Sequence, residues 1–480
     1  MKHCTFSFTT ALGAAALLVL GHMPQARADA SADLVAKGRY VAEASDCSAC
    51  HTIKGGKPYG GGMEFKLPIG SIYSSNISPD PAHGIGTYSE AEFARAVREG
   101  VRKDGASLYP AMPFPSYARM SDSDIHALYI YFMKGVQPVA QAAPANGIPW
   151  PMSMRWPMIF WRAVFAPSVA SAQKDVNRTF PTPAIARGAY LVEGPGHCGA
   201  CHSPRGIALQ EKALSASSGT AFLSGGAPID GFVPTSLRQD QRTGLASWSE
   251  DDIVAFLSTG RNLKGESFGG MTDAVYHGTQ HLTVEDLHAM AQYLRSLQPN
   301  SPNVAAWQYD PAAATALQHG DASARGAKVY VDHCAACHRT DGHGYAPAFP
   351  PLAGNPVVMS DQPDSLVHVV QSGAALPGMT KAPSAFVMPS YSQMLSAQQI
   401  ADVVTFIRGA WGEQRLPRRC GNGHQPAEIR SPAGAGRKTR SAELNQRQRK
   451  VSGMVAGHRK AATDAQKETG AGSSPAPVLI

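Results

Sequence analysis

Charge is scarce in this chain of 480 residues: Asp, Glu, Lys and Arg supply 16% of it, and apolar residues 43%, against a usual charged share of ~25%. That excludes intrinsic disorder for the bulk of the protein and leaves ample material for buried cores. Long apolar runs are also missing. Beyond the N-terminus none approaches the ~18 residues of a spanning helix, which excludes a polytopic membrane protein. With 47 glycines and 36 prolines, long coiled coils are excluded too, and loop-rich domains are expected; the length suggests about three. The sequence has no HExxH and no Walker motif, and nothing on it looks able to oxidise an organic substrate by itself.

The two ends differ from the rest. Lys2 and His3 precede an apolar stretch, Ala11–Leu20, and Ala26, Ala28 and Ala30 follow it. This describes a secretory signal peptide over residues 1–30, with cleavage after Ala28 or Ala30, so an exported chain is expected. Residues 414–480 form a basic, low-complexity tail, with 13 Lys/Arg against 4 Asp/Glu from Arg415 onward. It is expected to be disordered. Export and the lack of interleaved aromatics exclude nucleic acid as a partner.

Six of the eight cysteines fall into three runs of one grammar: Cys47-Ser-Ala-Cys50-His51, Cys198-Gly-Ala-Cys201-His202 and Cys334-Ala-Ala-Cys337-His338. Cys4 leaves with the leader, and Cys420 is a lone thiol in the tail. The flanks repeat as well. Gly38, Gly188 and Gly326 precede the runs at matching distances, followed by an apolar helix face. Ser121, Thr283 and Ser396 then cap a closing helix with an apolar stripe, for example Ile125, Leu128 and Phe132 in the first copy. Asp124, Asp286 and Gln399 stand three residues after these caps, a capping-box pattern in which only Gln399 is the preferred residue. Middle helices around Phe93–Gly100, Ile253–Gly260 and Leu366–Gly373 each stop at glycine. The expected fold is all-α: three tandem class I cytochrome c-like domains at 31–140, 181–300 and 320–413. An aromatic, Pro-rich linker at 141–180 and a second linker at 301–319 join them.

A CxxCH run is the attachment signature of c-type haem. Its cysteines form thioethers to the haem, and its histidine reaches the iron. Zinc would need four ligands, usually from two neighbouring pairs, and disulfides would leave three identically placed histidines unexplained. Three covalently bound haem c groups are therefore expected, held by Cys47, Cys50, Cys198, Cys201, Cys334 and Cys337, with His51, His202 and His338 as proximal iron ligands. Met112 and Met388, each in a Met-Pro pair at a matching distance before the last helix cap, are the expected distal ligands. In the second copy Met271 is the methionine between His202 and Thr283, with His277 and His281 as competitors. Met/His ligation fills the sixth position and suits electron transfer. A proline carbonyl within Phe349-Pro350-Pro351-Leu352 is a candidate acceptor for the His338 ring N–H. The segment Trp150–Phe165 holds three of the six tryptophans; interdomain packing competes there with docking on a partner or on the membrane interface.

The strings GGMEFKLPIGSIYSSNISPDPAHGIG, YPAMPFPSYARM, MSMRWP, GPGHCGACHSPRG, FLSGGAPIDGF and FPPLAGNPVVM resemble the tri-haem cytochrome c subunit of membrane-bound quinoprotein (PQQ) alcohol dehydrogenase over residues 31–413. The resemblance implies an electron-transfer subunit on the periplasmic face of the cytoplasmic membrane. Its partners would be a large dehydrogenase subunit that carries PQQ and a small third subunit, with ubiquinone as electron acceptor. The alternatives are the cytochrome subunit of a flavin-dependent gluconate, sorbitol or fructose dehydrogenase, and a free-standing periplasmic electron carrier.

Overall fold

The computed structural model describes residues 23–67 and 69–412. Most of the expected leader, and the basic tail with Cys420, lie outside the described residues. The described chain is mostly helical and holds three hydrophobic cores, each beside one CxxCH run.

In the first unit, α1 (Met23–Ala44) leads into the motif, α2 (Glu90–Glu99) is the middle helix and α3 (Asp122–Ile130) closes the unit. Linker helices α4 (Pro157–Phe165) and α5 (Val169–Val176) follow. The second unit uses α6 (Pro183–Glu193), α7 (Glu250–Thr259), α8 (Gly270–His277) and α9 (Val284–Ser296). After α10 (Ala312–Gln318), the third has α11 (Ala327–His333), α12 (Asp364–Ser372) and α13 (Ala397–Ile407). The middle helices stop as expected: Gly100, Gly260 and Gly373 take φ of 65°, 73° and 74°, where a Cβ would be strained. Capping boxes start two of them, Ser89 with Glu92 and Ser249 with Asp252.

In every unit the entering helix crosses the closing helix at its early glycine. A Cβ on Gly38 would lie 2.0 Å from the Ala127 carbonyl oxygen, on Gly188 1.9 Å from that of Ala289, and on Gly326 2.1 Å from that of Asp402. All three carbonyls stand six residues after the cap, so one crossing geometry is used three times.

The expectation of an all-α chain needs correction. Two antiparallel hairpins are present, Glu64–Leu67 with Gly70–Tyr73 (β1, β2) and Ala374–Leu376 with Phe386–Met388 (β3, β4). In the first, Phe65 faces Ile72, which is buried; alternation over four residues is too short to stand out against helix signals. In the second, Gly373 leaves α12 with ψ −179°, so the chain is already extended at Ala374.

The first two units form a pseudo-twofold pair. The Tyr40 hydroxyl donates to Asp286 at 2.5 Å, and the Tyr190 hydroxyl donates to Asp124 at 2.5 Å. Each tyrosine oxygen also accepts a backbone N–H at the opposite cap, from Thr283 and Ser121. Within each unit a cation holds the same carboxylate: Lys37 reaches Asp124 at 2.9 Å, and Arg187 binds Asp286 with two bonds of 2.8 and 2.7 Å. This explains the incomplete capping boxes. Ser121 and Thr283 accept the N–H of Asp124 and Asp286 as expected, but those carboxylates serve the interface; at Ser396 the box with Gln399 closes. The third unit joins through other contacts, including Thr380 N–H to Gln280 at 2.9 Å, Val233 N–H to Ser365 at 2.7 Å and the His368 ring against Phe232.

Candidate haem-binding sites

Each CxxCH run contains one turn of helix: Cys47–His51, Gly199–His202 and Ala335–His338. A turn puts the two cysteines on one side, with the histidine next to them. All six thiols are free. Burial, the largest cause, pushes the thiols of Cys198 and Cys334 up to about 12. Burial does the same to Cys50, also to about 12, followed by the charges of Asp46 and of Cys201 in the neighbouring unit. Among the described residues no group of three or more His, Cys, Asp or Glu side chains is placed to hold a bare metal ion.

The histidines share one further feature. His51 Nδ1 lies 2.7 Å from the Ser75 carbonyl oxygen, His202 Nδ1 2.7 Å from that of Thr235, and His338 Nδ1 3.0 Å from that of Pro350. An Nδ1–H donated to a carbonyl leaves Nε2 unprotonated, with its lone pair free for a metal. Burial, opposed by these bonds, lowers the pKa of all three rings, which keeps them neutral. Pro350 is the proline carbonyl expected from the sequence. Ser75 and Thr235 were not legible as its counterparts, because their local sequences share nothing with Phe349-Pro350-Pro351.

Met112 is partly buried against the first core, Met271 against the second and Met388, on β4, against the third. Met112 follows Tyr109 and precedes Phe114 in a tight turn, with its N–H on the Tyr109 carbonyl. Met120 is fully buried in the first core, Met394 is exposed, and Met379 packs with Val275 and Leu376 between the second and third units. The competing histidines are engaged in other contacts. His277 Nδ1 lies 3.1 Å from Ser48 Oγ of the first unit, and His281 Nε2 lies 3.2 Å from the Tyr276 carbonyl oxygen. Both border a cavity of about 620 Å3 where the three units meet.

The residues therefore fit c-type haem: paired free thiols, a neutral imidazole with a fixed tautomer beside them, and a thioether on the same core. Ser48 sits inside the first motif, so its contact with His277 brings the first motif against the second unit.

A cytochrome c family model matches residues 35–135 and 323–411. The segment between these two matches contains the second motif. The chain is 57% identical over 388 residues to the cytochrome c subunit of quinone alcohol dehydrogenase from Komagataeibacter europaeus, covering 80% of this chain and 82% of that protein. It is 52% identical to the subunit of the same name from Gluconobacter oxydans, covering 80% of each. It is also 52% identical over 400 residues to the gluconate 2-dehydrogenase cytochrome c subunit of Pantoea cypripedii, covering 82% of this chain and 90% of that protein. The cytochrome c family implies covalently bound haem c, and the chain belongs to the family of cytochrome c subunits of quinone-dependent alcohol dehydrogenase.

Proposed function

We propose that this chain is a tri-haem electron carrier that accepts electrons from a PQQ-containing alcohol dehydrogenase subunit oxidising ethanol and passes them to ubiquinone. The observation that supports this most directly is the threefold repetition of a CxxCH turn whose histidine has Nδ1 tied to a backbone carbonyl. In this reading the three cores are tandem class I cytochrome c domains. Cys47 and Cys50, Cys198 and Cys201, and Cys334 and Cys337 hold the haems covalently, and His51/Met112, His202/Met271 and His338/Met388 ligate the irons. When bound, haem c supplies one-electron chemistry at a raised potential. The protein's own residues fix the imidazole tautomer, exclude water with the three cores and carry no substrate-oxidising site. PQQ would reside in the partner, and a small third subunit would complete the complex.

We place the chain on the periplasmic side of the cytoplasmic membrane, peripherally held. The apolar leader supports export, and no helix among the described residues is long and apolar enough to cross a membrane.

The identity with the gluconate dehydrogenase subunit of Pantoea cypripedii favours a second reading, in which the donor is a flavin-dependent sugar-acid dehydrogenase. Purification of the native complex decides between them. A pyridine haemochrome assay should give three equivalents of haem c on this chain, and the co-purifying large subunit should release PQQ. Flavin in its place would select the second reading; fewer than three equivalents would refute the tri-haem assignment.

A further inference from the structure

The linker expected to be aromatic is helical, and its outer face is bare. Trp150 is 79% exposed, Phe160 64% and Val164 72%, and Met152, Trp156 and Ile159 are about half exposed. The inner face is pinned. Trp161 Nε1 donates to the Ala208 carbonyl at 2.8 Å, and its ring packs edge-on against Phe114. Arg155 stacks on Tyr109 and donates to the Ser107 carbonyl at 3.1 Å, while Arg162 donates to Ser107 Oγ at 3.1 Å. Ala208 is flanked by Ile207 and Leu209, both exposed, so they extend the apolar face past the helix.

Two properties identify what covers this face. The first is its size. At ~150–250 Å2 for each large side chain, the exposed apolar area is about 1,000 Å2. That exceeds the ~300–600 Å2 of the largest patch on a typical monomer and matches the ~800 Å2 that one partner contributes to a standard interface. The second is its position. The helix rests on Ser107–Phe114, the loop that carries Met112, and on the loop that follows Cys201-His202. A redox partner gains from binding there, because it comes within reach of two proposed haems at once. A lipid surface gains nothing from that position, and the two arginines that would meet lipid phosphates are tied inward to Ser107 and Tyr109.

We infer that the face formed by α4, its preceding Trp150–Trp156 turn and the Ile207–Leu209 loop is the docking surface for the electron-donating dehydrogenase subunit, with electrons entering at the first two units. This inference rests on the electron-transfer reading above.

The test uses the full-length chain co-expressed with the affinity-tagged alcohol dehydrogenase subunit of the same organism. Phe160→Ser and Trp156→Ser should each weaken retention on the tagged partner by roughly tenfold or more, as expected for central aromatic anchors. Ethanol-driven haem reduction should fall in step, while dithionite-reducible haem c stays at the wild-type amount. Val387→Ser, an equally exposed apolar site on the third unit (71% exposed), should change neither. Full retention and full ethanol-driven reduction in both linker variants would overturn the inference. So would loss of flotation with anionic phosphatidylglycerol vesicles while the partner is retained, since the face would then be a membrane contact. A haem deficit in the unmutated chain would refute the electron-carrier reading instead, and partner retention is scored independently of it.

Discussion

Replacing Gly188 with alanine sets two effects of known size against each other. In favour of the variant, alanine is about 1 kcal/mol better than glycine inside a helix. Against it, the new Cβ would sit 1.9 Å from the Ala289 carbonyl oxygen and 2.8 Å from Tyr293 Cβ. The first contact is roughly 1.4 Å short of the ~3.3 Å at which carbon meets a carbonyl oxygen. Neither obstacle is a flexible side-chain end, so α6 and α9 must separate by about an ångström. A gap of 0.5–1 Å forfeits about a quarter to a half of a packing contact. Leu191, Val192, Leu287, Met290 and Leu294 are all buried at this junction, each worth ~2 kcal/mol. The loss is then about 3–5 kcal/mol, and the net destabilisation about 2–4 kcal/mol after the helix gain. Far-UV circular dichroism should show the transition of the second unit lowered by roughly 5–15 °C. Gly270→Ala, on α8 with open space around its missing Cβ, is the control and should be neutral or slightly stabilising. A Gly188→Ala protein that melts within about 2 °C of wild type would show that the crossing yields easily, and the reading of the repeated glycine as a packing requirement would fail.

Met112→Ala, Met271→Ala and Met388→Ala should each lower one of three potentials in a redox titration and leave two unchanged; an unchanged set for Met271→Ala would remove it as a ligand. Tyr40→Phe deletes a hydrogen bond to a charged carboxylate and should cost ~1.5–3 kcal/mol in chemical denaturation at neutral pH, as should Tyr190→Phe. Burial would raise the Asp286 pKa, but its bonds to Arg187 and Tyr40 outweigh burial and hold it below the ordinary value. A depressed carboxylate contributes stability above its unfolded pKa and loses it as pH falls through the folded one, so the Tyr40→Phe deficit should shrink below about pH 4; a deficit that is flat with pH would contradict the pairing. Glu211 is buried, with Oε2 unpartnered and close to Gly199 inside the second motif, and burial raises its pKa to about 7. Its ionisation would add negative charge beside the proposed second haem and favour the ferric form, so one potential should fall as pH rises through about 7. Glu211→Gln should flatten that slope, and a slope that persists would place its origin elsewhere.

The site was more legible than the surfaces around it. The CxxCH runs carry their chemistry in five contiguous residues, so the cysteines and histidines could be named without any fold. The closing helices were readable because Ser121, Thr283 and Ser396 stand at fixed distances from apolar stripes, and the middle helices because glycine must follow them. The β-hairpins were missed because four residues of alternation carry little signal beside a helical repeat. The Pro350 carbonyl was expected from its proline pair, but Ser75 and Thr235 have no such pair and their carbonyls were not named. His277 and His281 stayed ambiguous because composition near a motif does not give direction; in the fold they contact Ser48 and the Tyr276 carbonyl.

The pairing of the first two units shows how a repeat encodes an asymmetry. Two residues after the crossing glycine stand Tyr40 and Tyr190, and three after the cap stand Asp124 and Asp286; the third unit has Lys328 and Gln399 in those places. Tyrosine opposite aspartate, used twice across a pseudo-twofold, is self-complementary, and each half is useless without the other. Lysine and glutamine cannot reproduce it. Lys328 instead pairs locally with Asp332 at 2.9 Å, and Gln399 turns back to close its own capping box. The third unit keeps the crossing glycine and the haem motif, which any single unit needs to fold and bind its cofactor, and differs at the two positions that bring motifs face to face. Its hydrogen bonds and ring contact to Gln280, Val233 and Phe232 tie it to the second unit instead.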